Sequence, residues 1–245
     1  GMNPSIMALE NTLAGLEGAE MAWAFGSGMA AESALFLAHG RDGIVCIGDA
    51  YGGTLELLGK QLPLLGIATH LLLASELERL DALLAGGARL VFMETPTNPT
   101  LDVFDIRAIA RRAHAHGALL AVDNTFASPV NQRPLELGAD LVTHSATKYL
   151  GGHSDLTAGA LMGARELLMP VWEWRKNLGS MIAPAAASLL SRSLRTLVVR
   201  VRQHNASAQR IADAMSRHRS VRRVYYPGLA DSPGHALARE QMRGF

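Results

Sequence analysis

A lysine and an aspartate in this chain each stand directly after a short apolar, β-branched run. Lys148 lies in Val142-Thr143-His144-Ser145-Ala146-Thr147-Lys148-Tyr149-Leu150-Gly151-Gly152-His153, beside two hydroxyls and a flexible glycine pair. Asp123 closes the run Ala118-Leu119-Leu120-Ala121-Val122-Asp123 and is followed by Asn124 and Thr125. A lysine amine can form a Schiff base with an aldehyde, and a carboxylate can hold a pyridine nitrogen in its protonated form. Those are the two protein groups that pyridoxal phosphate (PLP) chemistry needs.

Other residues fit the same chemistry. Lys148 must be neutral to attack a carbonyl, so desolvation or nearby cationic charge is expected to lower its basicity. Ser145 and Thr147 offer hydroxyl donors to a phosphate. Ser27-Gly28-Met29-Ala30-Ala31 opens a helix, whose first backbone N–H groups and dipole form a phosphate seat. Tyr51, just before Gly52-Gly53, can lay its ring on a planar ligand. In Glu94-Thr95-Pro96-Thr97-Asn98-Pro99-Thr100 the prolines bracket Thr97-Asn98, which predicts an extended, rigid platform for the Asn98 amide. Each residue has a plainer reading: a surface lysine, a capping or turn aspartate, a turn tyrosine, a stiff loop. Their combination favours the chemistry.

These groups need elements to hold them. Asn3 and Pro4 open a first helix, with Ile6, Leu9, Leu13 and Leu16 at helical spacing and Gly18 as its stop. A second helix begins after Ser27. Ile44–Ile47, Leu90–Met93, Leu119–Val122 and Leu141–His144 read as strands. Ser75 and Glu78 suggest a capping box opening a helix through Leu84, and 106–116 reads as another helix. Strands alternating with helices predict a mostly parallel sheet covered on both faces. Sites in such sheets lie beyond the carboxyl ends of the strands, where Asp49, Glu94, Asp123 and the Ser145–Lys148 group are expected. After Leu167 the pattern turns helical, from Ala185 to Met215, with a junction expected near Arg200. Val221–Tyr225 then reads as a strand that starts something new. The expected organisation is a large domain over 1–200, followed by a linker helix and the start of a small α/β domain over 201–245.

Composition narrows the partners. The chain has 245 residues, 49% apolar and 18% charged, with a formal net charge of +1. That balance argues against bulk electrostatic binding to nucleic acid or anionic membrane. Arginines thicken between Arg192 and Arg223, at a spacing that suits a solvated or subunit-facing helix surface. Cys46, the only cysteine, lies in an apolar run and reads as buried packing. His114 and His116 are two apart on a helix and do not face one way, so no metal site is expected. No apolar run nears the length of a membrane span, no secretory signal is visible, and a cytoplasmic location is expected. Gly1 before Met2 reads as a tag-cleavage remnant.

The assembled motifs resemble the Cys/Met-metabolism family of PLP-dependent enzymes. That family includes cystathionine γ-synthase, γ-lyase and β-lyase, methionine γ-lyase and the O-acylhomoserine sulfhydrylases. The resemblance covers nearly the whole chain. It rests on Ser27–Ala31, Tyr51-Gly52-Gly53-Thr54, Glu94–Pro99, Val122-Asp123-Asn124-Thr125-Phe126, His144–Tyr149 and Gly152-His153-Ser154-Asp155. Leu194-Arg195-Thr196-Leu197 and Tyr226-Pro227-Gly228-Leu229 add to it. The resemblance implies an α/β fold of the aspartate-aminotransferase type (PLP fold type I). It implies Lys148 and Tyr51 as catalytic residues, with Lys148 bonded to the cofactor and Asp123 on the ring nitrogen. Ser27, Gly28, Met29, Ser145 and Thr147 would hold the phosphate end, with Tyr51, Asn98 and Thr125 completing the cofactor set. It also implies a homodimer of dimers with shared active sites.

The chain departs from the family pattern in places. The family's Tyr-x-Arg and its substrate-carboxylate arginine are expected upstream and downstream of this segment. Ser193 replaces a usual glycine. Gly53 stands where methionine γ-lyases carry cysteine. The expected function is β/γ-elimination or γ-replacement on sulfur amino acids or homoserine esters. Two other readings stay open. One is a Rossmann dehydrogenase, since Gly26-Ser27-Gly28-Met29-Ala30-Ala31 fits G-x-G-x-x-A with Asp49 downstream. The other is a relative that only binds PLP or a partner subunit.

Overall fold

The computed structural model describes residues 3–245, so the tag-remnant reading of Gly1 and Met2 lies outside them. In chain order the first elements are α1 (Pro4–Glu17), β1 (Met21–Phe25), α2 (Gly28–His39), β2 (Ile44–Ile47) and α3 (Gly52–Glu56). A π-helical turn, Leu57–Gln61, leads into α4 (Leu62–Leu64), followed by β3 (Thr69–Leu72). A 3-10 stretch, Ala74–Arg79, leads into α5 (Leu80–Ala85), and then come β4 (Leu90–Glu94), α6 (Ile106–Ala115), β5 (Leu119–Asp123) and α7 (Ser128–Asn131). After the 3-10 turn Pro134–Leu137 follow β6 (Leu141–His144), β7 (Gly159–Gly163), α8 (Arg165–Asn177), α9 (Pro184–Leu194), α10 (Leu197–Ser216) and α11 (His235–Gln241).

The strands form one sheet in the order β1-β7-β6-β5-β4-β2-β3. Neighbours from β6 to β3 are parallel, whereas β7 runs antiparallel to both β6 and β1. The expected mostly parallel α/β architecture is therefore present. Alternation along the strands divides the core. Ile44, Cys46, Leu90, Phe92 and Ala121 face α2 and α8, with Phe36 edge-on to Phe92. Val45, Ile47, Val91, Met93, Leu120 and Val122 face the other way onto α5 and α6. On that same side, Val142 and Met162 pack beneath α1 and α9.

Local chemistry sets the ends as anticipated for α1, where Asn3 Oδ1 accepts from the N–H groups of Ser5 and Ile6. Gly18 then takes the left-handed φ of 72° that closes the helix. Asp105 caps α6 by accepting from Ala108 N–H at 2.8 Å.

Four expectations need correction. Glu76, not Glu78, makes the reciprocal cap, accepting from Leu73 N–H at 3.0 Å, so that turn opens two residues earlier. The 95–100 loop is not extended: it folds back as Thr97 N–H donates to Asp102 O and Thr97 Oγ1 accepts from Asp102 N–H. The helical junction falls at Arg195–Thr196, and Arg200 sits inside α10. Val221–Tyr225 is not a strand. It finds no sheet edge, and its β-branched residues are only partly covered. Arg192, Arg195, Arg202 and Arg210 are exposed on this chain, in keeping with a solvated or subunit-facing arginine face.

Candidate active site

The carboxyl ends of β4, β5 and β6 meet the N-terminus of α2 around a cavity of about 220 Å³. Ser27, Gly28, Met29, Tyr51, Asn98, Asp123, Thr125, Ser145, Thr147 and Lys148 all line it. Every residue singled out for the cofactor is thus in one place. Glu94, Glu32, Phe126 and Thr157 complete the lining. Asp49 is exposed and lies outside it, which leaves the dinucleotide reading without its ribose-binding acid.

One end of the cavity is built to meet an anion. Ser27 caps α2, its Oγ accepting from Ala30 N–H at 3.1 Å, and its carbonyl accepts from Ala31 N–H. The first-turn N–H groups of Gly28 and Met29 are left as donors at the positive end of a twelve-residue helix. Two glycines allow the close packing here. A Cβ on Gly28 would lie 3.0 Å from Ser145 Cα, and one on Gly159 would lie 2.0 Å from Ser27 O. Ser145 N–H donates to Thr125 Oγ1 at 2.8 Å, which ties the β5 and β6 ends together. Thr147 is less free than expected. Its hydroxyl donates to Ala158 O and accepts from Ala158 N–H.

The other end is acidic. β4 and β5 pair Glu94 with Asp123 in register, so both side chains fall on the α2 side. Asp123 Oδ1 accepts from Thr125 N–H at 2.8 Å, and Glu94 Oε2 accepts from Tyr51 N–H at 3.0 Å. Glu32 comes in from α2, its Oε2 accepting from Thr54 Oγ1 at 2.5 Å. All three carboxyls are buried. Burial, then repulsion from Asp123, pushes Glu94 up to about 8. Burial and the Asp123 charge hold Glu32 well above the carboxylate range. Burial raises Asp123 as well, against the hydrogen bonds from Thr125. The same surroundings push the Cys46 thiol up to about 12, burial being the largest cause, and Cys46 packs within the core as its apolar run predicts. Glu32 carries no motif signal in the sequence. Only its four-residue offset from Gly28 on one helix face hints at it.

The mouth is open. Lys148 is exposed, and Tyr51 is 52% exposed. The desolvation expected at Lys148 is not supplied by this chain, because the turn that carries it runs along the cavity's rim. The surrounding charge is acidic, not cationic. The turn itself is fixed: Lys148 N–H donates to Ser145 O, and Gly152 N–H donates to Lys148 O. Arg200 clamps it from α10, donating to Tyr149 O at 2.7 Å. Behind the sheet, Asn124 and His144 both hydrogen-bond Glu17 Oε1. Among the described residues no cluster of three or more His, Cys, Asp or Glu is arranged to hold a metal ion, and no helix is long and apolar enough to cross a membrane.

Comparison with known proteins gives a consistent picture. All of residues 1–245 match the family described as Cys/Met metabolism PLP-dependent enzyme. Cystathionine β-lyase of Lactococcus lactis is 43% identical over 99% of this chain and 64% of its own length. Cystathionine γ-synthase of Mycobacterium tuberculosis is 44% identical over 99% of this chain and 63% of its own. The crystal structure of cystathionine γ-lyase from Lactobacillus plantarum, complexed with L-serine, superposes with a TM-score of 0.95 at 38% identity, covering 99% of this chain and 64% of that one. The chain therefore spans a little under two thirds of these relatives.

Proposed function

The chain belongs to the Cys/Met metabolism PLP-dependent enzyme family, and from that premise we propose that the whole protein is a transsulfuration enzyme using pyridoxal phosphate in the cavity described above. It would catalyse β- or γ-elimination, or γ-replacement, on cystathionine-like sulfur amino acids or O-acylhomoserine. The observation that carries this reading is the cavity's polarity. One end offers the first N–H groups of α2 and the Ser145 hydroxyl. The other holds three buried carboxyls, and Lys148 is the only cation in the lining. A ligand with an anionic group at one end and a cationic ring nitrogen at the other suits both ends.

Gly28, Met29 and Ser145 would hold the phosphate, with Ser27 and Thr147 shaping the seat. Asp123 would face the ring nitrogen, Thr125 would orient Asp123 and Ser145, and Asn98 would lie beside the ring. When bound, the cofactor supplies an electron sink for bonds at the substrate's Cα. Lys148 would take and return the Cα proton, which requires its amine neutral. Tyr51, anchored by its N–H on Glu94, would cover one ring face. The open rim fits a site finished by a neighbouring subunit, as in a homodimer of dimers. The segment 1–200 would form the large domain, and 201–245 the link to a second one. A cytoplasmic location is consistent with this role.

The relatives carry β-lyase, γ-synthase and γ-lyase names at near-equal identity, so the bond broken is the finer question. Borohydride trapping of the PLP-loaded full-length protein is expected to label Lys148 on peptide mapping. A label elsewhere, or none, would overturn the assignment. Incubation with cystathionine then separates the lyases, since β-cleavage releases pyruvate and γ-cleavage releases 2-oxobutyrate. Neither product, with turnover of O-acylhomoserine and a thiol instead, would point to a replacement enzyme.

A further inference from the structure

Glu32 stands out among the residues of this cavity because no motif accounts for it. It sits on the second turn of α2, is 4% exposed, and shares the lining with Asp123, Glu94 and Lys148. Its Oε2 is taken by the hydroxyl of Thr54, itself 1% exposed. That leaves Oε1 as the atom able to carry a proton. Three buried carboxyl groups lining one cavity do not all ionise readily, so at least one holds a proton. The donors decide between Glu32 and Asp123. Asp123 accepts a backbone N–H from Thr125, and Glu94 accepts one from Tyr51, whereas Glu32 has only a neutral hydroxyl. Backbone N–H groups favour the ionised form of their acceptor.

We propose that Glu32 is a positioning residue that keeps its proton and donates it to Asp123, so that Asp123 is left as the ionised carboxylate facing the ring nitrogen's place. This inference rests on the reading that the cavity takes pyridoxal phosphate. The titratable groups around the pair are Glu94 on β4, Cys46 on β2 beneath it, His144 on β6, and Lys148 and Tyr51 at the rim. Burial and the Asp123 charge, which raise Glu32, agree with this direction. Thr54 and Glu32 together also join α3 to α2, so the arrangement links the Tyr51 turn to the acidic end.

The test uses the full-length protein with E32Q, E32A, D123N and the E32A/D123N double variant. Gln at 32 can still accept from Thr54 and donate to Asp123, while Ala can do neither. Infrared spectra of the cofactor-free protein at neutral pH should show buried protonated carboxyl absorption, of which E32Q loses the Glu32 share and keeps that of Glu94. Absence of that loss would overturn the inference, whatever the cofactor does. With PLP added, E32A should weaken PLP binding about tenfold and alter the bound chromophore's absorption, whereas E32Q should stay within about twofold. E32A should have little further effect on D123N, because its effect acts through Asp123. Wild-type-like binding and spectrum in E32A, an E32Q variant behaving like E32A, or additive effects in the double variant would each overturn it. Failure of the wild type to take up PLP would instead overturn the proposed function, and the infrared result would still decide the Glu32 assignment.

Discussion

Two buried charged clusters, one against β1 and one at the carboxyl ends of β4 and β5, are resolved in opposite ways. Beneath β1, Arg175 is 1% exposed and donates to Glu10 Oε1 at 2.7 Å and to Ala24 O at 2.9 Å. Its guanidinium lies 5.1 Å from the ring of Trp23 and 5.3 Å from that of Trp172. Its Nε and Nη2 both have acceptors inside the chain. Even so, burial keeps Glu10 above its ordinary range, with Arg175 pulling it back only in part. At the cavity, Glu32, Glu94 and Asp123 are as deeply buried and have no cation of their own except Lys148 at the rim. A compensated buried charge serves the fold. Buried charges left without compensation are costly unless something else supplies the opposite sign.

The largest effect should come from breaking the compensated cluster. Arg175→Ala strands Glu10 in the core and is expected to cost about 3–5 kcal/mol of stability, read from denaturant midpoints. PLP affinity of the surviving folded protein should be unchanged, and a large loss of affinity would blur the distinction between the clusters. Asp123→Asn should do the reverse. It removes the buried carboxylate that opposes ionisation of Glu94, so stability holds or rises, while turnover of the PLP-loaded full-length protein falls about a hundredfold. Normal turnover would remove Asp123 from its assigned role.

A smaller effect should appear in the pH dependence of stability. Glu94 has a folded value of about 8 against an ordinary 4.5. The folded state therefore holds a proton that the unfolded state has lost. Stability of the cofactor-free protein is complete below pH 4.5 for this group and is lost as pH rises through about 8. The slope is at most about 1.4 kcal/mol per pH unit for each such carboxyl. Glu94→Gln should flatten that fall in pH-dependent melting curves, and an unchanged profile would show that Glu94 is not the titrating group. Smallest of all, Thr54→Val takes the only donor from Glu32 Oε2 and should cost about 1 kcal/mol. No loss would mean that the Glu32–Thr54 contact is not needed to hold the acidic end together.

Much of the site is visible in the sequence because its residues sit at places the chain marks locally. Asp123 and the 145–148 group follow β-branched apolar runs, and parallel sheets collect ligands at those carboxyl ends. Ser27-Gly28 announces a helix start. Three strands carry weak signals instead. β1 is rich in alanine, β3 is half exposed, and β7 is bounded by glycines, which usually argue against a strand interior. Val221–Tyr225 errs the other way: it has the composition of a strand and no edge to pair with.

What the sequence determined by itself is therefore local: the periods that make helices and strands, the starts of α1 and α2, and the residue types able to bind a phosphate and a ring nitrogen. Tertiary structure decided which of those residues meet. Glu32 and Asp123 are ninety-one residues apart. They share a cavity because β4 and β5 align Glu94 with Asp123, and α2 packs across that face. The same packing left Lys148 on an open rim. Charge, burial and proton affinity depend on distance through space and on access to water, and neither is written in the spacing of residues along a chain.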